Sequence, residues 1–197
     1  MNVRKPIVAG LMGLTTLAPC KAQKTVQLMS ETGISGVVNK EASFYTGMNF
    51  EFFRGKNYSD LYTGVSVQPD KKVSFVGLAI NDFAWNKNLS SWGRGVYAVS
   101  KDASNLTLEL APVKANVQAK KFNFSLAPSY ALYNDFRAGN TTQGINTIFQ
   151  TTYNASKKNQ LFLELNYQSE PRKNLFDTRF GKFKNNMSYM VSLFHNL

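Results

Sequence analysis

From residue 24 to the end of the chain, apolar side chains recur at every second position rather than at every third or fourth. The clearest runs span residues 106–110, 122–132, 145–153 and 161–167. Successive side chains of a β-strand point to opposite faces, so this period predicts strands with one apolar and one polar face. No segment of any length has the spacing of an amphipathic helix. The sequence therefore predicts an all-β fold.

Short segments rich in Asn, Gly, Pro, Asp and Lys, the residues that turns favour, separate these strands. They lie at residues 39–40, 55–57, 69–71, 86–88, 101–102, 120–121, 139–140, 157–159, 171–173 and 185–186. These ten breaks predict eleven strands, and a further turn at Pro112 makes twelve. The apolar parity also switches at Pro112, from Leu110 to Val113, which a β-bulge explains without a turn. We expect ten to twelve strands in consecutive hairpins.

A series of hairpins with no open edge closes most simply into an up-and-down antiparallel barrel. Two kinds of barrel satisfy the alternation, and they differ in which face is apolar. A soluble, exported, lipocalin-like barrel points its apolar face inward, around an apolar ligand. A transmembrane barrel points its apolar face toward lipid and has a polar lumen, with aromatic girdles near the strand ends.

The placement of charge and aromatic residues favours the transmembrane barrel. The face opposite the apolar one is small and uncharged over long runs, whereas a solvated surface is rich in charged residues. Lysine is almost confined to the turns and strand ends: Lys40, Lys56, Lys71, Lys72, Lys87, Lys101, Lys120, Lys121, Lys157, Lys158, Lys173 and Lys184. Aromatic residues cluster beside the same turns, as girdles require. The prediction is a transmembrane β-barrel.

The C-terminal segment adds a resemblance to a known class of proteins. Met187, Tyr189, Val191, Leu193 and Leu197 alternate to the last residue. With this segment the whole chain resembles a bacterial outer-membrane β-barrel, although it ends on leucine rather than on an aromatic residue. The resemblance implies a location in the bacterial outer membrane and contact with outer-membrane lipids. It also implies that the barrel assembly machinery recognises the C-terminal strand.

The N-terminal residues have the pattern of a secretory signal peptide. Arg4 and Lys5 precede an apolar run that is too short to span a bilayer, and small residues follow it. We expect a signal peptide over residues 1–22, cleaved before Gln23, and one β-barrel domain over residues 23–197. The alternative is a lipoprotein signal in which Cys20 carries lipid. A catalytic thiol is disfavoured because the sole histidine, His195, lies at the other end of the chain.

Several charged residues lie mid-strand on the face opposite the apolar one, and a barrel would bring them together in its lumen. They are Glu31, Glu51, Arg94, Glu109, Glu164, Asp177 and Arg179. Each buried charge needs a partner or water. One interpretation is a structural ion-pair network that fills a narrow interior. The other is a constriction that sets the ion preference of a pore.

The same inventory argues against several functions. One histidine and no cysteine after residue 22 predict no catalytic residue, no metal site and no cofactor. The formal net charge is +11, but the basic residues are spread over successive turns, so we expect no nucleic-acid partner. The predicted function is a non-enzymatic outer-membrane barrel, either a small passive pore or a structural membrane protein. The alternative is the soluble exported barrel that binds an apolar ligand.

Overall fold

The computed structural model describes residues 24–38, 42–101, 103–169 and 187–197. These residues form a closed antiparallel barrel of ten strands, in which each strand pairs with its neighbours in sequence. The strands are β1 (Lys24–Val37), β2 (Ala42–Arg54), β3 (Asn57–Val67), β4 (Val73–Ala84), β5 (Leu89–Val99), β6 (Ser104–Ala119), β7 (Phe122–Asp135), β8 (Asn140–Asn154), β9 (Asn159–Gln168) and β10 (Met187–Asn196). The predicted all-β up-and-down barrel is confirmed, with a strand count at the lower end of the predicted range.

The barrel closes where β1 pairs with β10, from Met29 opposite Asn196 to Val37 opposite Ser188. Closure removes the open edges that a ten-stranded sheet would otherwise expose. Because the number of strands is even, β1 begins and β10 ends at the same end of the barrel. We call this the termini end, and it also carries the turns at 55–56, 85–88, 120–121 and 155–158. The opposite end is called the far end.

The far end carries the connections 38–41, 68–72, 100–103, 136–139 and 169–186. Short turns are present at both ends, as predicted, and the connection from β9 to β10 is longer than the others. The predicted turns at 171–173 and 185–186 both fall within it. In the closed sheet β9 pairs directly with β10, so the two predicted turns belong to a single connection. Residues 170–186, including Asp177 and Arg179, lie outside the described residues, as do residues 1–23 with Cys20.

A β-bulge in β6 accounts for the parity switch at Pro112. Opposite β5, the two-residue step from Ser90 to Trp92 matches the three-residue step from Lys114 to Ala111. One extra residue on β6 is therefore accommodated between Ala111 and Lys114. The strand continues through the bulge, so Pro112 marks no turn and adds no strand.

The distribution of apolar and polar side chains between the outside and the inside of the barrel is the reverse of that in a soluble protein. The outward face is apolar, with exposed Leu28, Ile34, Phe44, Leu61, Phe75, Leu108, Leu110, Leu126, Ile145, Leu161 and Leu193. The inward face holds buried polar and charged side chains, among them Glu31, Asn49, Asp60, Arg94, Glu109, Asn146, Glu164 and Asn166. A contiguous apolar exterior requires lipid, whereas the soluble ligand-binding barrel requires an apolar interior. The protein is a membrane β-barrel.

Aromatic contacts gather near the termini end of the outward face. The Phe122 ring lies 4.8 Å from that of Tyr153 and 5.8 Å from that of Phe124, centroid to centroid. Aromatic side chains near the strand ends are typical of the girdle that a membrane barrel places at the membrane–water interface. Within the described part of the chain, no helix has the length and hydropathy needed to cross a membrane.

Side chains pack the lumen toward the far end. Tyr45 and Tyr62 are both fully buried, with their rings edge to face at 6.3 Å. They join a buried cluster of Val76, Leu78, Val96, Ala98 and Met190. The tyrosine rings lie over strand positions where only glycine fits: a Cβ atom on Gly64 would lie 2.7 Å from Cζ of Tyr62. In the part of the chain that the structure describes, side chains therefore pack this half of the barrel.

The substitution Gly64→Ala should therefore lower the free energy of unfolding by about 1–3 kcal/mol, the range for overpacking a filled interior. Gly77→Ala is the matched control, because a Cβ atom there meets nothing within 4 Å. The control should leave stability unchanged or slightly higher, since glycine weakens a strand. Urea titration of both folded variants in the same detergent measures the difference. Equal midpoints would show that the tyrosine rings are not packed over the glycine.

Candidate functional site

Three of the predicted luminal charges meet in one network at the centre of the barrel. Arg94 on β5 donates from Nε to Oε2 of Glu109 on β6, at 2.8 Å. It also donates from Nη1 to both carboxylate oxygens of Glu164 on β9, at 2.8 and 2.9 Å. All three side chains are buried, with at most 5% of any of them exposed. The guanidinium group, with several donors in one plane, suits two carboxylates at once.

This network crosses the lumen. Going round the barrel, β9 lies four strands from β5, and the opposite wall of a ten-stranded barrel lies five strands away. A single arginine side chain therefore joins nearly opposite walls. At this level the lumen is no wider than the side chains that fill it.

Neutral donors complete the network. Glu109 Oε1 accepts from Ser129 Oγ at 2.6 Å and from Asn146 Nδ2 at 2.7 Å. Gln150 Nε2 donates to Oε2 of Glu164 at 2.9 Å. All four oxygens of the two carboxylates thus have a donor, as buried charges require. The ring of Trp92 lies 5.0 Å from the guanidinium carbon of Arg94, which places the cation close to an aromatic face.

The other predicted carboxylates lie apart from Arg94, in a second cluster on β1–β3. Asn49 Nδ2 lies 3.3 Å from Oε2 of Glu31 and 3.3 Å from Oδ2 of Asp60. Glu51 Oε1 accepts from the hydroxyl of Tyr58 at 2.8 Å. We call Glu31, Glu51 and Asp60 the acidic wall. The predicted luminal charges thus do not all meet at one place. Arg94, Glu109 and Glu164 form the paired network, whereas Glu31 and Glu51 lie in the separate acidic wall.

Sequence reasoning missed Asp60, Asn49 and the pair of Lys114 with Asp82, whose Nζ and Oδ2 atoms lie 2.8 Å apart. A signal for Asp60 was present, because it has the parity opposite to Leu61 in β3. Lys114 was concealed by the bulge, which turns it inward after Pro112. Asp177 and Arg179, the remaining predicted site residues, lie outside the described residues.

A vestibule opens between the Arg94 network and the termini end. It is a cavity of about 430 Å³, with the acidic wall on one side and the amides of Asn116, Gln150 and Gln160 among its other lining groups. Arg94 and Glu164 also line it, at its inner limit. On the other side of the network the luminal side chains are buried, including Ser66, Gln68, Asn105, Tyr133, Asn166 and Gln168. Within the described residues, the vestibule therefore opens toward the termini end and is bounded on its inner side by the Arg94 network.

A metal site requires several ligating side chains close together. Among the described residues, no group of three or more His, Cys, Asp or Glu side chains is placed to hold a metal ion. His195 is exposed near the end of β10, with Nδ1 2.7 Å from Oδ1 of Asn159. It is thus oriented away from the luminal carboxylates.

No protein-family model matches the sequence, and no curated protein matches it. Among solved structures, a loop L8 deletion mutant of OmpT, an outer membrane protein of Vibrio cholerae, is similar with a TM-score of 0.41 and 8% identity. That match covers 88% of this chain and 62% of the OmpT chain. The KdgM porin is similar with a TM-score of 0.39 and 9% identity, over 86% of this chain and 99% of that one. The predicted resemblance to outer-membrane β-barrels is confirmed at the level of class, in the closed antiparallel barrel with an apolar exterior and a polar lumen.

Proposed function

We propose that the protein is a non-enzymatic, structural β-barrel of the bacterial outer membrane whose lumen does not conduct ions. The observation that carries the proposal is the bridge of Arg94 to Glu109 and Glu164 across the lumen. A passive pore needs a continuous water-filled path, and such a path is incompatible with an ion-paired plug across the lumen and a packed far half. Of the two interpretations of the luminal charges, the geometry therefore favours the structural network.

The orientation in the membrane follows from the connections. Outer-membrane barrels have short periplasmic turns and longer extracellular loops. The termini end carries only short turns, whereas the longest connection, residues 169–186, belongs to the far end. We accordingly place the vestibule on the periplasmic side and the far end outside the cell.

Contacts with lipid and with the assembly machinery belong to the same proposal. On β10, Leu193 is exposed on the outward face, and Tyr189 and Val191 share its parity. This apolar alternation supports recognition of β10 by the barrel assembly machinery before membrane insertion. The exposed position of His195, apart from the luminal carboxylates, supports a function without catalysis.

Planar-bilayer recording tests the closed lumen. The inserted protein should produce no reproducible conductance steps, because the network and the packed far half leave no ion path. Heat-modifiable gel mobility of the same preparation confirms that the barrel is folded. A Glu109→Gln variant should be less stable and still silent. Conductance steps in the unmodified protein, with a reversal potential that shifts toward anions in Glu109→Gln, would show an open, charge-selective pore and overturn the proposal.

A further inference from the structure

Four lysines lie on two neighbouring hairpins at the termini end. Lys120 and Lys121 form the turn between β6 and β7, and Lys157 and Lys158 end the turn between β8 and β9. The hairpins are adjacent because β7 pairs with β8, and the backbone N–H of Asn154 donates to the carbonyl oxygen of Lys121 at 2.9 Å. All four lysines are exposed. We call them the lysine cluster.

Hydrogen bonds hold the backbone of the second turn in place. Ser156 Oγ accepts from the backbone N–H groups of Lys158 and Asn159, at 3.2 and 3.0 Å. Asn196 on β10 contacts the same turn from the other side. Its Nδ2 donates to the carbonyl oxygen of Lys157 at 2.9 Å, and its backbone N–H donates to that of Lys158 at 2.8 Å. The charges of the lysine cluster therefore extend from backbone that is anchored to the barrel.

The positive charge of the lysine cluster is not balanced by acidic neighbours. Residues 118–123 and 153–160 contain no Asp or Glu. Among the described residues, no ion pair involves any of the four lysines. The far-end connections differ, because their cations have an acidic neighbour in sequence: Lys71 and Lys72 with Asp70, Lys101 with Asp102, and Arg137 with Asp135. Like charges grouped in this way attract an anionic partner.

The position of the lysine cluster indicates the kind of anion. Phe122 follows Lys121 directly and lies opposite Tyr153, and these two rings form part of the aromatic girdle. Phe149, four residues further from the turn on the same face, is 37% exposed. Aromatic girdles mark the level of the lipid headgroups, and the chain advances only about 3.3 Å per strand residue. The lysines therefore lie at the depth of lipid phosphates, directly beside the surface that contacts acyl chains.

We propose that the lysine cluster binds the headgroup of an anionic phospholipid whose acyl chains lie along the outward face of β7 and β8. The ligand is a phosphodiester that carries no cation of its own, because a zwitterionic headgroup already neutralises its phosphate. Clustered lysines at a membrane surface favour such lipids. With the orientation proposed above the lipid belongs to the periplasmic leaflet, and only this choice of leaflet rests on the proposed function.

Native mass spectrometry of the folded full-length barrel tests the headgroup preference. The probes are phosphatidylglycerol and phosphatidylcholine with identical acyl chains, added to the protein in detergent. They share the phosphate and differ in the cationic group that only phosphatidylcholine carries. We expect phosphatidylglycerol to bind at least about tenfold more tightly, from the attraction of several lysines. Equal binding of the two lipids would overturn the proposal.

A quadruple variant locates the site. It combines Lys120→Asn, Lys121→Gln, Lys157→Gln and Lys158→Gln. Asparagine is chosen at position 120 because φ is +52° there, a conformation that asparagine adopts more readily than lysine. The variant should lose most of the tenfold preference. Heat-modifiable mobility verifies that it is folded. An unchanged preference in the folded variant would place the lipid elsewhere on the barrel.

A matched far-end variant separates the lysine cluster from overall charge. It also removes four cations, through Lys71→Asn, Lys72→Gln, Lys101→Gln and Arg137→Gln, with asparagine at position 71 because φ is +63° there. This variant should retain the preference for phosphatidylglycerol. An equal loss in both variants would mean that net charge alone attracts the lipid. Should the quadruple variant at the termini end fail to fold, the double variant Lys157→Gln and Lys158→Gln must still lower the preference.

A soluble phosphate distinguishes a lipid site from a site for small anions. Glycerol 3-phosphate should displace no more phosphatidylglycerol than sodium chloride does at the same ionic strength, because it lacks the acyl chains that contact β7 and β8. Stronger displacement would assign the lysine cluster to a soluble phosphate compound. The test is independent of conductance, since conductance steps would overturn the closed lumen alone and equal binding of the two lipids would overturn this inference alone.

Discussion

Replacing Arg94 with methionine should lower the free energy of unfolding by about 3–5 kcal/mol, the usual consequence of removing one partner from a buried ion pair. Methionine retains much of the length of arginine, so the loss arises from charge rather than from a cavity. Glu109 and Glu164 would remain in the lumen with only neutral donors from Ser129, Asn146 and Gln150. Urea titration of the barrel folded in lipid vesicles, followed by heat-modifiable mobility, measures the change.

Two further variants test whether this loss of stability is specific to Arg94 or would follow from any substitution of a luminal cation. Lys114→Met removes a second luminal cation, but its pair with Asp82 lies in the vestibule with side chains 12% and 18% exposed. Water reaches it, so the loss should be about 1 kcal/mol or less. Arg94→Lys keeps the charge without the planar fork, and its stability should lie between that of the unmodified protein and that of Arg94→Met. If Arg94→Met and Lys114→Met were equally mild, the Arg94 network would not be buried as described.

The second large effect is expected on the lipid-facing side. Leu126 is 50% exposed on the outward face of β7, midway between the outward-facing residues Phe122 and Tyr130. An arginine at mid-depth on a lipid-facing position destabilises a membrane barrel by about 2–4 kcal/mol. Leu126→Arg should therefore reduce the folded fraction in lipid vesicles and shift the urea midpoint accordingly.

The adjacent residue provides the control. Ser125 has the opposite parity, lines the vestibule, and donates to Oε1 of Gln150 at 3.1 Å. Ser125→Arg adds the same side chain at the same depth, but into a cavity with room and water, so the loss should be below about 1 kcal/mol. Similar damage from both substitutions would mean that the two faces have been assigned the wrong way round.

Ser125 and Asn166 show where sequence patterns stop being informative. By parity alone, Asn166 is as luminal as Ser125. In the barrel, Asn166 is 3% exposed within the packed far half, where an arginine has no space, whereas Ser125 faces the vestibule. Alternation reports the face on which a side chain lies. It carries no information on how tightly the opposite wall packs against that side chain.

The number of strands and the partners of the charged residues also depended on features that the sequence pattern does not contain. Ten turn signals predicted eleven strands, but two of them belong to one connection, and only the pairing of β9 with β10 shows it. Pro112 was compatible with a turn or a bulge until the register of β6 was known. The strand pattern placed both Glu51 and Glu164 in the lumen and could not tell which of them pairs with Arg94. In the barrel, Glu164 contacts Arg94 and Glu51 does not.

The sequence by itself determined the β class, the closure into a barrel, the face that meets lipid and five of the strand residues that carry luminal charge: Glu31, Glu51, Arg94, Glu109 and Glu164. Each of these follows from a local period of two residues and from turn chemistry, which neighbouring residues encode. Only the tertiary structure decided that Arg94 reaches Glu164 across the barrel, that the far half is packed and that the acidic wall faces a vestibule. Those features depend on the register and curvature of the closed sheet, which bring together residues such as Arg94 and Glu164 that are 70 positions apart in the chain.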